Sequence, residues 1–402
     1  MSENKDNKIL NVPNLRFKEF QGEWEEKRLS EIAELYKGNG ISKEQLFDRG
    51  EPCILYGELY TKYKSEVISE VVSKTNIDTK KLVRSKANDV IIPCSGETAE
   101  DIATARCVPY DNILLGGDLN IIRLHDTEGS FMSYQLNGKR KYDIAKVAQG
   151  VSVVHLYGEH LKGVKTYVPC VEEQKKIARL LSLLDERIAT QSKIIEDLKK
   201  LKCAIIEKHY RQAKLHKYKI CDLGVPFSVG SLSKEDLSEK GHECILYGEL
   251  FTTYDCVINE IKSHTNKIAN MTLSQKRDLL FPSSTTVDAV SLISPSVIDI
   301  PNVVLGGDMF GIHIDKKFNA YYLSYYINII TRKKLAIYAK GSTIIHLHYK
   351  DIAKAQLLLP DLCEQDRIAK CMMAEDDKIK VEEQLMTKLE EQKQYLLRQM
   401  FI

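Results

Sequence analysis

The sequence lacks any apolar run of the roughly 18 residues that a membrane-crossing helix requires, so no membrane partner is expected. Its first residues, Met1 to Lys8, are polar and charged, without the apolar stretch of a secretory leader. Residues 1–13 are expected to form a disordered tail. Ten cysteines are present, yet none are spaced Cys-x-x-Cys and none pair with histidines in a ligand pattern. That argues against a disulfide framework or structural zinc and for a reduced, cytoplasmic setting. Cys53, Cys94 and Cys244 sit inside apolar runs and read as small buried thiols. A surplus of one charge is also missing. The net charge is +2, so any binding to nucleic acid must come from local patches. Neither a Gly-x-x-x-x-Gly-Lys-(Ser/Thr) phosphate loop nor a Gly-x-Gly-x-x-Gly cofactor turn occurs, which leaves nucleotide and dinucleotide chemistry without its usual cradle.

What is present is a large internal repeat. Cys53-Ile54-Leu55-Tyr56-Gly57-Glu58-Leu59-Tyr60 returns as Cys244-Ile245-Leu246-Tyr247-Gly248-Glu249-Leu250-Phe251, and Leu115-Gly116-Gly117-Asp118 returns as Leu305-Gly306-Gly307-Asp308. Gly150, His155, Leu156, Pro169, Glu173, Gln174, Ile177, Ala178, Asp185 and Ile188 return as Gly341, His346, Leu347, Pro360, Glu364, Gln365, Ile368, Ala369, Asp376 and Ile379. The shift is 346 − 155 = 191 residues, without a gap across that block. Two copies of one unit imply two similar sites, suited to a two-part target or to two copies of a partner.

Each copy begins with a globular part. Val90 to Pro93, Asn112 to Leu115 and Ile121 to Leu124 read as strands, as do the stretches around Leu279 to Pro282 and Val303 to Leu305. Helical stretches follow at Phe131–Ala148 and Ala320–Ala339. A long helix closes each copy. Ile177, Leu181, Leu184, Ile188, Gln191, Ile195, Leu198, Lys202 and Ile205 step by four and three, as do Ile368, Met372, Glu375, Ile379, Glu382, Met386, Leu389, Lys393 and Leu396. Neither stripe can be buried alone, so the two are expected to pair. The polar members either fix the register of that pair or face a partner. The expected fold class is mixed α/β (α+β), with two tandem globular domains separated by two long helices in an antiparallel coiled coil under pseudo-two-fold repeat. The expected boundaries are 1–170, 171–212, 213–361 and 362–402.

Several residues suit recognition of a polyanion. Lys139, Arg140, Lys141 and Lys146 cluster before the first repeated Gly…His-Leu segment, and Arg332, Lys333, Lys334 and Lys340 before the second. Such clusters neutralise phosphates, or else form a solvated helix face. The loops Pro93-Cys94-Ser95-Gly96-Glu97-Thr98 and Pro282-Ser283-Ser284-Thr285-Thr286 follow a strand in each copy and carry side chains that donate and accept. The loops differ between copies while their frames agree, which suits a reader of two separate half-targets. The candidate DNA-binding residues are these basic residues with Ser95, Glu97, Thr98, Ser283, Ser284, Thr285, Thr286, Tyr60, Tyr63, Lys64, Arg106 and Tyr254. Tyr56 and Tyr247 are assigned to the core, and His155 and His346 to buried positions bonded to backbone. Glu173-Gln174-Lys175 echoes a nuclease motif, but its copy Glu364-Gln365-Asp366 lacks the lysine, so a structural role is expected.

Together these residues resemble the specificity subunits of type I restriction-modification systems. The resemblance rests on Pro13-Asn14-Leu15-Arg16-Phe17-Lys18-Glu19-Phe20 with Gly22-Glu23-Trp24, the repeated Gly150…His155-Leu156 and Gly341…His346-Leu347, the repeated Pro…Glu-Gln…Ile, and the ending Leu396-Leu397-Arg398-Gln399-Met400-Phe401. It covers almost the whole chain. It implies that each globular part is a target recognition domain reading half of a bipartite double-stranded DNA sequence, and that the helices set the spacer. It also implies two docked modification subunits that methylate adenine with S-adenosylmethionine, and restriction subunits using ATP and Mg that can join them. The chain itself is then expected to bind no cofactor or metal and to have no catalytic residue. A two-site scaffold that does not bind DNA and a free-standing nuclease or methyltransferase are the competing readings.

Overall fold

The computed structural model describes residues 10–78, 80–150 and 153–402. The chain forms two compact units, the first running to Lys193 and including Gln384–Ile402, the second spanning Ile194–Glu383. Of the tail expected to be disordered, residues 1–9 lie outside the described residues. The rest is ordered: the Asn11 carbonyl accepts from the Trp24 N–H (2.8 Å), and Pro13 is buried.

In the first unit a four-stranded antiparallel sheet runs in the order Ala33–Lys37, Leu119–Leu124, Asp89–Pro93, Arg106–Val108. Asp89–Pro93 is buried along its whole length, which is why it reads as an unbroken apolar run rather than an alternating one. A five-stranded mixed sheet packs beside it, with Glu51–Ile54 parallel to Leu114–Leu115. The second unit repeats this plan. Its wholly buried Asp278–Pro282 lies between Met309–Ile314 and Ser296–Ile298, and His242–Leu246 runs parallel to Val304–Gly306.

The repeated Cys-Ile-Leu-Tyr-Gly-Glu-Leu stretch is framework. Glu58 Oε2 accepts from the Leu55 N–H (2.9 Å) and Glu249 Oε2 from the Leu246 N–H (2.7 Å), closing a turn between strand and helix. That turn places Tyr56 outward at 39% exposure, and Tyr247 stays half-buried at the edge of the core. Tyr56 is therefore not a core residue, contrary to the sequence expectation. The helix expected at Phe131–Ala148 is two helices, Gly129–Asn137 and Lys141–Val147. Its counterpart runs on through a π-helical turn at Ile327–Thr331.

The long helices span Val171–Gln212 and Leu362–Gln399. All nine seam positions predicted on each are buried or half-buried. In the first unit Ile177 and Leu181 pack in one cluster with Leu397, Met400 and Phe401, and Asp185 meets Lys393, so the two helix segments run antiparallel. In the second unit Lys199 pairs with Glu383 (2.7 Å) and His209 bonds Arg367 (2.9 Å), again antiparallel. The repeated glutamine fastens each helix start. Gln174 donates to the Pro169 carbonyl and accepts from the Glu128 N–H, while Gln365 donates to Pro360 and accepts from Asn319, all at 2.8–3.0 Å. Glu173 is buried against Arg16, so the Glu-Gln motif is structural as expected. No helix among the described residues is long and apolar enough to cross a membrane.

Candidate nucleic-acid interface

In each unit a buried strand delivers a polar loop to the surface. Asp89–Pro93 leads into Cys94–Thr98, and Ser95–Gly96 pairs with Val154–His155. Asp278–Pro282 leads into Ser283–Thr286, and Ser284–Thr285 pairs with Ile345–His346. The returning strands follow Gly150 and Gly341, whose φ angles of +125° and +119° favour glycine. A Cβ there would lie 2.1 Å from the Val153 carbonyl oxygen or 2.0 Å from that of Ile344. This close approach explains why the glycine recurs.

After each loop comes a one-turn helix with its own cap. Thr98 Oγ1 accepts from the Asp101 N–H (3.1 Å) and Asp288 Oδ1 from the Ser291 N–H (2.7 Å). The Tyr60 hydroxyl donates to the Ser95 carbonyl (3.0 Å), and burial pushes its pKa up so that it remains a donor. In the second unit Ser284 Oγ donates to Asp308 Oδ2 (2.8 Å), giving the aspartate of Leu-Gly-Gly-Asp a role in shaping the loop. Tyr247, Phe251, Ser284, Thr285, Arg332 and His346 are among the residues lining a cleft of about 630 Å³.

The predicted residues divide by burial. Ser95, Glu97 and Thr98 lie together at the loop of the first unit. Thr285, Thr286 and Arg332 line the cleft of the second, and Ser284 lies there as well but is itself buried, with its hydroxyl on Asp308. Lys64, Lys139, Lys146, Lys333 and Lys334 are exposed, and Lys141 is half-buried at the start of its helix. Lys146 covers the exposed Tyr142 ring at 4.3 Å.

Four candidates point inward. Tyr63 is buried and its hydroxyl accepts from the Val72 N–H. Tyr254 is half-buried and accepts from the Lys262 N–H. Ser283 is buried, with its N–H on the Asp308 carbonyl. Arg106 is buried and donates to the carbonyls of Tyr63 and Leu59. Arg106 is expected from the sequence to contact DNA, but the pairing of its strand Arg106–Val108 with Asp89–Pro93 turns it into the unit. Two further basic residues are engaged. Arg140 donates to the Ile402 carbonyl (2.8 Å) and pairs with Asp143. Lys340 pairs with Asp351 (2.6 Å) and holds that carboxyl below its usual range.

Both repeated histidines differ from expectation. His155 is half-buried and His346 exposed. Their backbones, not their rings, make the recurrent bonds: His155 exchanges N–H and carbonyl with Gln149, and His346 with Lys340. The His155 ring lies 3.4 Å from Ser95 Oγ, beside the polar loop. Among the described residues no group of three or more His, Cys, Asp or Glu side chains could hold a metal ion. Cys53, Cys94 and Cys244 are buried, with thiols pushed up to about 11 by burial, so they are inert at neutral pH.

Sequence reasoning left open what the seam lysines do. Lys393 is 12% exposed and pairs with both Glu66 and Asp185, and the Tyr134 hydroxyl donates to Asp185 (2.7 Å). Lys202 is 14% exposed and pairs with Asp376, which accepts from the Tyr325 hydroxyl (2.5 Å). The shift relates these groups: 185 + 191 = 376, 134 + 191 = 325 and 202 + 191 = 393. The recurring Asp185 and Asp376 were the available signal. Lys202 and Lys393 also stand at one position of the two seams, and Tyr134 recurs as Tyr325.

A family model described as "Type I restriction modification DNA specificity domain" matches residues 21–200 and 227–391. The chain is 24% identical to the putative type I restriction enzyme MjaX specificity subunit of Methanocaldococcus jannaschii, over 94% of this chain and 93% of the relative. It is 23% identical to the type I restriction enzyme MjaVIII specificity subunit of the same organism, over 95% and 94%. The fold is similar to the crystal structure of the type I restriction-modification S subunit from M. genitalium, with a TM-score of 0.62, 16% identity, and coverage of 97% of this chain and 99% of that one. A chain solved in work on complex assembly and conformational transition of the type I R-M system is also similar, with a TM-score of 0.57, 14% identity, and coverage of 93% and 96%.

Proposed function

Since the chain belongs to the family of type I restriction-modification DNA specificity subunits, we propose that each unit reads one half of a split double-stranded DNA target. Exposed lysines of the basic helices sit against phosphates and fix register, while the polar loops meet base edges in a groove. Two modification subunits dock on the chain and transfer a methyl group from S-adenosylmethionine to adenine in the bound target. Restriction subunits, using ATP and Mg, join them for cleavage. This chain supplies recognition and assembly, and chemistry is left to its partners.

One observation carries this reading. The same cradle, a polar loop paired with a returning strand beside a basic helix, is built twice, with different side chains at its rim. A reader of an asymmetric two-part sequence needs equal frames with unequal contacts.

The test is a methylome. The chain is expressed with the modification subunit from its own locus in a methylation-free host, followed by sequencing that detects N6-methyladenine. A split motif methylated only when the chain is present is the expected result. No new methylation from a complex shown to assemble would overturn the reading in favour of a scaffold that does not select DNA.

A further inference from the structure

Arg332 differs from the lysines beside it. Its Nε donates to the Val290 carbonyl (2.8 Å) and its Nη2 to the Ser291 carbonyl (3.3 Å). Those bonds engage one edge of the guanidinium and hold the plane in place. The edge formed by Nη1 and Nη2 keeps its donors; the charge of Asp288 reaches Arg332, but among the described residues no carboxylate is close enough to form an ion pair with it. The side chain lines the cleft of the second unit together with Ser284, Thr285, Thr286 and His346. Two apolar side chains of that cleft, Val287 and Ile344, are 73% and 50% exposed.

A phosphate anchor needs none of this. Phosphates lie on the outside of a duplex and are met well by mobile, exposed ammonium groups, which Lys333 and Lys334 supply. A guanidinium fixed in a recess, with one two-pronged edge left over, matches the paired O6 and N7 acceptors of guanine. The neighbouring hydroxyls can donate or accept to the next base, and exposed valine and isoleucine suit a thymine methyl group. In the first unit the residue one repeat earlier (332 − 191 = 141) is Lys141, a point charge without the fork.

We propose that Arg332 is a specificity-determining residue of the second unit and reads a guanine in that unit's half-site. The inference rests on the reading of the chain as a DNA specificity subunit. Arg332 contacts the base edge, Lys333 and Lys334 hold the backbone, and the two half-sites are recognised by different chemistry at this position.

The experiment compares methylomes of the intact chain, Arg332→Gln, Arg332→Lys and the double variant Lys333→Ala/Lys334→Ala, each with the modification partner. With the intact chain, one half of the motif contains guanine. Glutamine pairs with adenine N6 and N7, so Arg332→Gln lowers the preference for guanine at one position by about ten-fold or more and shifts it towards adenine. The other half stays unchanged. Arg332→Lys keeps the charge but loses the fork, so guanine preference falls at the same position. The double variant lowers methylation at all sites without changing the motif. A motif without guanine in either half overturns the proposal while the proposed function stands. So does an unchanged motif with uniformly lower methylation in Arg332→Gln, which makes Arg332 a phosphate anchor. If neither Arg332 variant assembles while the intact chain does, Arg332 is a folding residue and the proposal fails. Absence of any split motif with the intact chain defeats the functional reading itself.

Discussion

Lys393 forms ion pairs with both Glu66 and Asp185, and the buried Arg106 is a further cation whose charge reaches the same two carboxylates, so the loss of Lys393 is felt more than that of an ordinary seam residue. Removing one partner of a buried ion pair leaves uncompensated charge, at about 3–5 kcal/mol. Lys393→Met is expected to destabilise the first unit by that order, read as a lower unfolding midpoint in urea. Lys202→Met leaves only Asp376, which retains the Tyr325 hydroxyl, and is expected to cost less. Equal losses would show that the second carboxylate, Glu66, adds nothing. Burial raises the pKa of Glu66 above 4.5, and the like charge of Asp185 adds to this, against the pull of Lys393. A raised carboxyl favours the folded state most below its unfolded pKa, and that contribution is lost as pH rises through the folded value. Glu66→Gln removes this dependence. Its thermal midpoint is expected to gain on the native chain as pH is raised from 4.5, and a constant difference would contradict the sign.

At the scale of elements, the two basic helices show that a cluster legible as one patch serves several ends. Lys139 is exposed, whereas Arg140 is tied to the Ile402 carbonyl and lies 5.4 Å from the Tyr167 ring. Lys139→Ala is expected to weaken binding to all duplexes alike and to reduce the salt slope by about one. Arg140→Ala is expected to lower thermal stability, because it frees the chain end from the Trp24–Phe131–Phe401 cluster. Titration of a generic duplex at several salt concentrations, beside a melting curve, separates the two; an unaltered slope in Lys139→Ala makes that lysine a solvated residue. The glycines before the returning strands belong to this scale as well. Gly341→Ala meets a carbonyl oxygen and an unfavourable φ together, a strain on the order of 1–3 kcal/mol. It is expected to displace His346 and weaken binding. Full binding with an unchanged melting point would show that the strand absorbs the Cβ.

At the scale of the molecule, the proposed function makes the long helices a ruler for the gap between half-sites. Inserting one heptad into each of Val171–Gln212 and Leu362–Gln399 is expected to abolish methylation of the native motif. Undiminished methylation at the native gap would remove the helices from that role. The net charge of +2 is low for a chain that binds DNA, and the proposed function therefore requires its docked partners to supply part of the phosphate contact.

The repeat, the strands Asp89–Pro93 and Asp278–Pro282, both long helices and their seams were all legible in the sequence, because periodicity and unbroken apolar runs are local properties of the chain. So was the family, through the order and duplication of short motifs. The inward turn of Arg106, Tyr63 and Ser283 was not legible. A side chain's burial depends on which face of a sheet another strand covers, and strands far apart in sequence make that choice. The same holds for Lys202 and Lys393. Their spacing showed that they lie on the seam, but only packing decided that each would meet an aspartate on the other helix, buried Asp185 for Lys393 and half-buried Asp376 for Lys202. Arg332 looked like one of three basic residues in a row, and the tertiary structure alone distinguished it by closing two backbone carbonyls around one edge of its guanidinium.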